Sequence, residues 1–275
     1  MDYFDRESSG HAKSGDSYRQ PFLDTKGANS VASLLPGTTP DAVATWADTV
    51  KSSGKYSFTS NYHFIDANDN PPTTCNVKDT RDCADGDCIV RAIATYTDNA
   101  GCSKSTAKAD RIDALKFIVH FLGDITQPLH VCARGRGGND QSVKFDGSST
   151  NLHAVWDTKI PEKRIKNNFS NDKSSYASSI VSRIQTGTYK SAAPSWISKY
   201  GVASKNSNGN SLAAIDWAVD ADAFDCSVVW PAYDANPSQD FGSTYYSNSF
   251  ATVDIQIAKA GYRLADWINK IGATC

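Results

Sequence analysis

His120 and Asp124 stand four residues apart inside the most apolar stretch of the chain, and His153 and Asp157 repeat that spacing further on. Residues at i and i+4 share one face of a helix, so each pair presents an imidazole beside a carboxylate. His130 follows Asp124 just past Pro128, Asp48 sits two residues after Trp46, and His63 lies within Tyr62-His63-Phe64-Ile65-Asp66. A carboxylate in so apolar a setting is costly unless it is paired or holds a metal. Imidazole and carboxylate without thiolate suit zinc, and manganese or iron less well; this many donors exceed what one tetrahedral ion can use. Two or three ions follow. Multi-metal sites of this type serve phosphate-ester hydrolysis, in which one ion acidifies a water and its neighbours clamp the phosphoryl oxygens.

Asp66 and Lys51 lie three residues beyond His63 and Asp48. Asp66 is placed to orient or activate a water, and Lys51 to meet a phosphate or that same carboxylate. Phe64 offers a ring on which a base could stack, a contact worth about 1–3 kcal/mol per base in single strands, with core packing as the competing role. A histidine taken singly can be a satisfied core group, but two identically spaced pairs argue against coincidence. His11 belongs to a weakly patterned segment and stands apart from the rest.

The elements that must position these groups read as helices. Val43, Trp46, Ala47 and Val50 share a helical face over residues 40–51, with Pro40 suited to its start. Residues 62–66 read as a short extended piece, 70–88 as a disulfide-type loop and 89–99 as a helix. Residues 111–125 are apolar on more than one face, which predicts a central, surrounded helix that Pro128 ends or bends. The Gly-rich run 133–150 allows a brief strand alternation at Val143 and Phe145, a helical pattern resumes at 151–156, and helices follow at 174–185, 211–223 and 250–270. Residues 1–30 read as loop or poorly formed helix. The fold class is therefore all-α, with long loops and at most a small β-hairpin, in a single domain spanning 1–275. No βαβ alternation or phosphate-cradling glycine motif supports a nucleotide-binding sheet.

With 275 residues, 40% hydrophobic and 21% charged, the composition is that of a globular protein rather than a disordered or fibrous one. A formal charge of -2 leaves no broad basic surface to hold duplex nucleic acid, so any such contact must be local. No run of 18 apolar residues occurs, and Met1 to Glu7 is charged from the start and unlike a signal peptide. Seven cysteines, several in polar loop sequence, favour disulfides over free thiols. Asn168-Phe169-Ser170 is a sequon for glycosylation in an exported chain.

The blocks Ala44-Thr-Trp-Ala-Asp48, His63-Phe-Ile-Asp66, Asp69-Asn-Pro-Pro72, Phe117 to His130, Asn151-Leu-His153-Ala-Val-Trp-Asp157 and Ile257 to Trp267 together resemble the fungal members of the zinc-dependent S1/P1 nuclease family, whose fold relatives are the zinc phospholipases C. The resemblance covers roughly residues 31–275. It implies a monomeric, extracellular, mostly helical three-zinc enzyme that cleaves single-stranded DNA and RNA to 5'-phosphorylated products and removes 3'-phosphates from nucleotides. It further implies that Asp48, His63, His120 and Asp124 surround the most buried zinc, with Asp124 bridging to a second ion, and that His130, His153 and Asp157 hold the more exposed one. Asp66 then matches the water-activating aspartate and Lys51 its basic partner, while Phe64 belongs to a base pocket and Asn151 neighbours the phosphate. Cys75–Cys226 and Cys83–Cys88 are the implied bridges. Of the remaining cysteines, Cys102 can pair with Cys132, leaving Cys275 unmatched.

The amino end departs from the family pattern, which opens on a tryptophan and a Gly-His pair heading an apolar helix that bind the third ion. Here Gly10-His11 precedes a polar run. A chain start altered from the family's mature one is the favoured explanation, and the chain as written is expected to hold two ions firmly and to cleave poorly. The alternatives are a zinc phospholipase C and a weakly catalytic, zinc-stabilised structural homologue.

Overall fold

The computed structural model of the chain describes residue 23 and residues 25–35, 37–52, 54–102 and 106–275. His11 and most of the 1–30 segment lie outside these. The order is α1 (Thr25–Leu34), α2 (Trp46–Val50), α3 (Asp79–Asp82), α4 (Ile89–Ala100) and α5 (Lys108–Asp124), then an antiparallel hairpin of β1 (Ser142–Phe145) and β2 (Ser148–Asn151). α6 (Leu152–Ala154) continues through a π turn (Val155–Lys159) into α7 (Ile160–Asn168); α8 (Lys173–Gln185), α9 (Leu212–Phe224), α10 (Trp230–Ala235) and α11 (Tyr246–Gly272) complete the chain. The described residues thus form an all-α fold with one small hairpin.

α5 is the centre. From Ala114 to Asp124 every residue except Lys116 is buried, because its apolar positions leave no polar face to turn to water. It packs against α4, α11 and α2. α11, about 40 Å long at 1.5 Å per residue, ties the bundle together. Its Trp267 Nε1 donates to Thr97 Oγ1 at 2.8 Å on α4, and its Gln256 Nε2 donates to the Thr126 carbonyl at 2.6 Å, just past the end of α5. Asp254 of α11, 1% exposed, accepts from Arg164, Arg183 and Tyr176 and so pins α7 and α8 to the same helix.

Several local expectations change. The single helix over 40–51 is a 3-10 turn (Asp41–Val43), a break at Ala44 and Thr45, and then α2. A 3-10 helix occupies Gly54–His63 in place of the extended piece expected from Tyr62, and the residues just after His63 are irregular. α5 ends at Asp124, and Pro128 opens a 3-10 turn (Pro128–Val131) that it suits because it has no N–H to satisfy. Asn151 closes β2 and caps α6, its Oδ1 accepting from the Ala154 N–H at 2.7 Å.

Disulfides join Cys75 to Cys226 and Cys83 to Cys88. The pairing of Cys102 with Cys132 is corrected: Cys102 is bridged to Cys275, and Cys132 is a free, buried thiol. The reason is tertiary. α11 carries the carboxyl end back to the loop after α4, where the Cys102 N–H donates to Thr274 Oγ1 at 3.2 Å, while Cys132 sits among apolar side chains with Leu129, Val143 and Trp230.

A carboxylate group away from the histidines bears on stability. Asp222 is 1% exposed and Asp225 fully buried. Burial, then the charge of nearby Asp69, raises the Asp222 carboxyl to about 7, and burial with Asp222 and Asp69 holds Asp225 well above its ordinary range. The folded chain therefore keeps a proton on Asp222 that the unfolded chain releases near pH 4. That contribution is complete below pH 4 and is lost as pH rises to about 7, at up to about 1.4 kcal/mol per pH unit. Asp222→Asn should flatten the decline in thermal midpoint over this window and be the more stable form at pH 8. Parallel melting curves for the two proteins from pH 4 to 8 would rule this out.

Candidate metal centre

Four irregular pieces of backbone meet at the carboxyl end of α5. His120 and Asp124 come from α5 itself; Asp48 from α2; His63 from the last position of the 3-10 helix; His130 from the turn that Pro128 opens; His153 and Asp157 from α6 and the π turn after it. The i, i+4 reading holds for both pairs: His120 Nε2 lies 2.8 Å from Asp124 Oδ2, and His153 Nε2 lies 3.1 Å from Asp157 Oδ2. π turns are rare and concentrate at functional sites, and this one carries Asp157.

Two donor groups result. In the first, His63 Nδ1 and His120 Nε2 are 2.9 Å apart, each is 3.5 Å from Asp48 Oδ1, and Asp124 Oδ2 is 3.0 and 2.8 Å from them. In the second, Asp157 Oδ1 is 3.4 Å from His130 Nε2 and Oδ2 faces His153, whose ring stacks on that of His130 at 5.1 Å. The other oxygen of Asp124 is 3.7 Å from His130 Nδ1, not the ring nitrogen that faces Asp157, so this carboxylate borders both groups. Donors about 2.0–2.1 Å from a tetrahedral zinc stand about 3.3 Å apart, and the observed separations bracket that figure. Asp48 Oδ2 is buried and has no hydrogen-bond partner, as expected of an atom suited to a cation. The donor chemistry and spacing therefore fit zinc.

The outer contacts fix the rings. His120 Nδ1 faces the Ala44 carbonyl at 2.5 Å, His130 Nδ1 the His63 carbonyl at 3.2 Å, and His153 Nδ1 the Gly137 carbonyl at 2.7 Å. Each ring donates there and leaves Nε2 as the lone-pair side, the usual arrangement around a ligating imidazole. Gly137 has φ 61°, and a Cβ on it would come within 2.5 Å of the Leu129 carbonyl, so the chain can pass under His153 only as glycine. Gln127 serves twice: its Oε1 caps the Pro128 turn through the Leu129 N–H at 2.6 Å, and its Nε2 donates to Asp157 Oδ1 at 2.8 Å. The sequence offered no signal for Gln127 or for these carbonyls beyond the turn-forming glycines and Pro128.

The electrostatics follow from burial. Without a metal, burial works against charge on Asp124, but His120 and His130 in protonated form and the bonds from His120 and His63 hold its carboxyl well below the usual range; His130 and His153 do the same for Asp157. Burial lowers His63, whereas for His120 and His153 burial is outweighed by Asp124 and Asp157 respectively and both are raised. Apolar residues such as Val119, Ile257, Ala260 and Leu264 line a cavity of about 340 Å³ that ends on Asp124, His130 and Asp157, and the low dielectric of such walls strengthens these attractions.

Lys51 Nζ is 2.6 Å from Asp48 Oδ1, and among the described residues no ion pair joins it to Asp66. Asp66 lies on the irregular run after His63, exposed as a residue but with its carboxyl partly screened from water; that screening and the charge of Asp82 raise its pKa. Phe64 and Asn151 are half-buried, and Asn168 is exposed at the end of α7. A third grouping, Asp69, Cys75 and Asp222, offers no thiolate because Cys75 is bridged to Cys226.

A mostly helical fold carrying adjacent imidazole and carboxylate groups spaced for metal ions defines a multi-metal hydrolase. The pattern of the S1/P1 nuclease family matches residues 10–273, and the chain belongs to that family. It is 44% identical over 233 residues to nuclease PA3 of a Penicillium species and to nuclease P1 of Penicillium citrinum, alignments that cover 84% of this chain and 83% of each relative. It is 42% identical to nuclease S1 of Aspergillus oryzae over 84% of this chain and 78% of the relative. With its two intact donor groups, the chain is a zinc-dependent nuclease.

Because Asp124 borders both groups, Asp124→Asn should lower bound zinc by more than one ion per chain, whereas Asp157→Asn should lower it by about one. Chelation should lower the thermal midpoint, and re-added zinc should restore it, since saturating metal at about 1,000 times its Kd contributes roughly 4 kcal/mol. Full zinc retention in Asp124→Asn, read by elemental analysis after gel filtration, would contradict the shared role.

Proposed function

We propose that the chain, as a single-domain monomer, hydrolyses phosphodiester bonds of single-stranded DNA and RNA to 5'-phosphorylated products and removes 3'-phosphates from nucleotides. The observation that carries this reading is the meeting of two donor groups at Asp124, with the carboxylate of Asp66 three residues beyond His63. Asp48, His63, His120 and Asp124 would hold one zinc and His130, His153 and Asp157 another, with His11 a candidate for a third. When bound, the ions acidify a water and neutralise the phosphoryl oxygens.

The chain's own groups supply the rest. Asp66 orients the attacking water and takes its proton; its raised pKa brings it closer to the working range of a general base. Lys51, held by Asp48, presents its remaining N–H donors toward a phosphate. Phe64 stacks a base on one side of the scissile bond, and the Nδ2 of Asn151 is left to donate to the phosphate while its Oδ1 caps α6. Three disulfides and the exposed sequon at Asn168 support an oxidising, secreted setting with glycosylation.

Zinc-loaded protein should cleave single-stranded DNA and RNA far faster than duplex, and leave phosphatidylcholine intact. Asp66→Asn should retain its zinc and lose about 10²- to 10⁴-fold in kcat, the usual contribution of a positioned general base. Undiminished turnover in that variant would remove Asp66 from the proposed role, and hydrolysis of phosphatidylcholine alone would point to a phospholipase.

A further inference from the structure

The 3-10 helix Gly54–His63 has three residues per turn, so its side chains line up in rows three apart. One row, Tyr56, Thr59 and Tyr62, turns inward: Thr59 is fully buried, Tyr56 packs edge-on to Phe117 at 5.3 Å, and Tyr62 meets Tyr96 at 6.4 Å. A second row ends on the donor His63. The third runs through Phe58 and Asn61 toward Phe64, the residue that follows the helix.

Phe58 is 59% exposed, one of two large apolar side chains left so open among the described residues. Its ring is braced by Tyr62 at 6.0 Å and Tyr56 at 6.3 Å, and Tyr56 is itself fixed through its hydroxyl, which donates to Asp113 Oδ2 at 2.5 Å. Next in the row, Asn61 donates to Asp87 Oδ2 at 2.6 Å and is held in place. At about 2.0 Å of rise per residue, Phe58 stands roughly 10 Å along the helix from His63. One exposed ring backed by two tyrosines is too small an apolar patch for a protein partner or a membrane. It has the properties of a stacking platform, a rigid π face that accepts any unpaired base.

We propose that Phe58 stacks a second base of the substrate strand, beyond the nucleotide adjacent to the base held at Phe64 and so out of reach of a dinucleotide. This rests on the single-strand reading above and extends the site along the strand. The ring binds and aligns; it does not touch the reacting atoms.

The test compares Phe58→Ala, Phe58→Trp and wild type, all zinc-loaded, on a DNA strand of about ten nucleotides and on a dinucleotide. For Phe58→Ala the KM on the strand should rise about 5- to 30-fold, with kcat and the dinucleotide KM little moved, and Phe58→Trp should restore the strand KM. An equal loss on both substrates, or no change on the strand, would overturn the proposal. Fluorescence anisotropy with a phosphorothioate strand of the same length reads binding without turnover. A weaker Kd for Phe58→Ala than for wild type supports the platform even if the catalytic reading fails, and equal Kd values overturn it.

Discussion

The constraint on which the rest depends is the burial of Asp124. It closes a helix whose last two turns are packed on every side, and it is 1% exposed. A lone carboxylate there would protonate or unfold its surroundings. Instead three imidazoles converge on it from three segments: His63 and His120 on one oxygen and His130 beside the other. Nothing inside α5 except His120 can answer that charge, so distant parts of the chain must arrive together. Packing of α5 against α4, α11 and α2 brings them there.

Regular helices build the core, but the carbonyls that orient His120, His130 and His153 lie where the helices stop. The break at Ala44 lies beside the carbonyl that orients His120; the end of the 3-10 helix yields both the His63 ring and the carbonyl that orients His130; the Gly137 loop orients His153. A carbonyl committed to a full helical ladder is less free to accept from a ring. The interruptions thus have a common chemical use, which is to set the imidazole tautomers so that Nε2 faces inward on His120, His130 and His153. Gln127 links the two levels, capping a turn with one atom of its amide and holding Asp157 with the other.

This also explains what could be read from the chain alone. The apolar girdle of α5 and the two i, i+4 pairs are local patterns, and local patterns survive folding. The split of residues 40–51 was hidden because Val43, Trp46, Ala47 and Val50 have helical spacing whether or not the backbone pauses at Ala44. Cys102 was matched to Cys132 by elimination. Its true partner depends on where α11 delivers the carboxyl end, a tertiary fact with no counterpart in cysteine spacing. Gln127 beside Pro128 reads only as a turn. Lys51 is matched to Asp66 through the family resemblance and not through spacing; in the fold its ammonium lies against Asp48, three residues away on the same turn of backbone.

The near-neutral charge of the chain raises a last question, namely how it would grip a polyanion. Its buried and half-buried cations are largely committed: Lys259 and Arg263 to Asp220, Arg164 and Arg183 to Asp254, Arg134 to Asp234. These pairs fasten segments of the chain to one another, and the acidic residues, 30 against 28 basic ones, offset the rest. On the proposed reading, strand recognition comes from neutral stacking rings and from charge concentrated at the two donor groups, where a divalent ion in an apolar cavity would act far more strongly than a surface lysine in water. A duplex buries its bases and offers no ring face to stack. With recognition arranged in this way, preference for unpaired strands follows from the near-neutral balance of charge as much as from the aromatic residues.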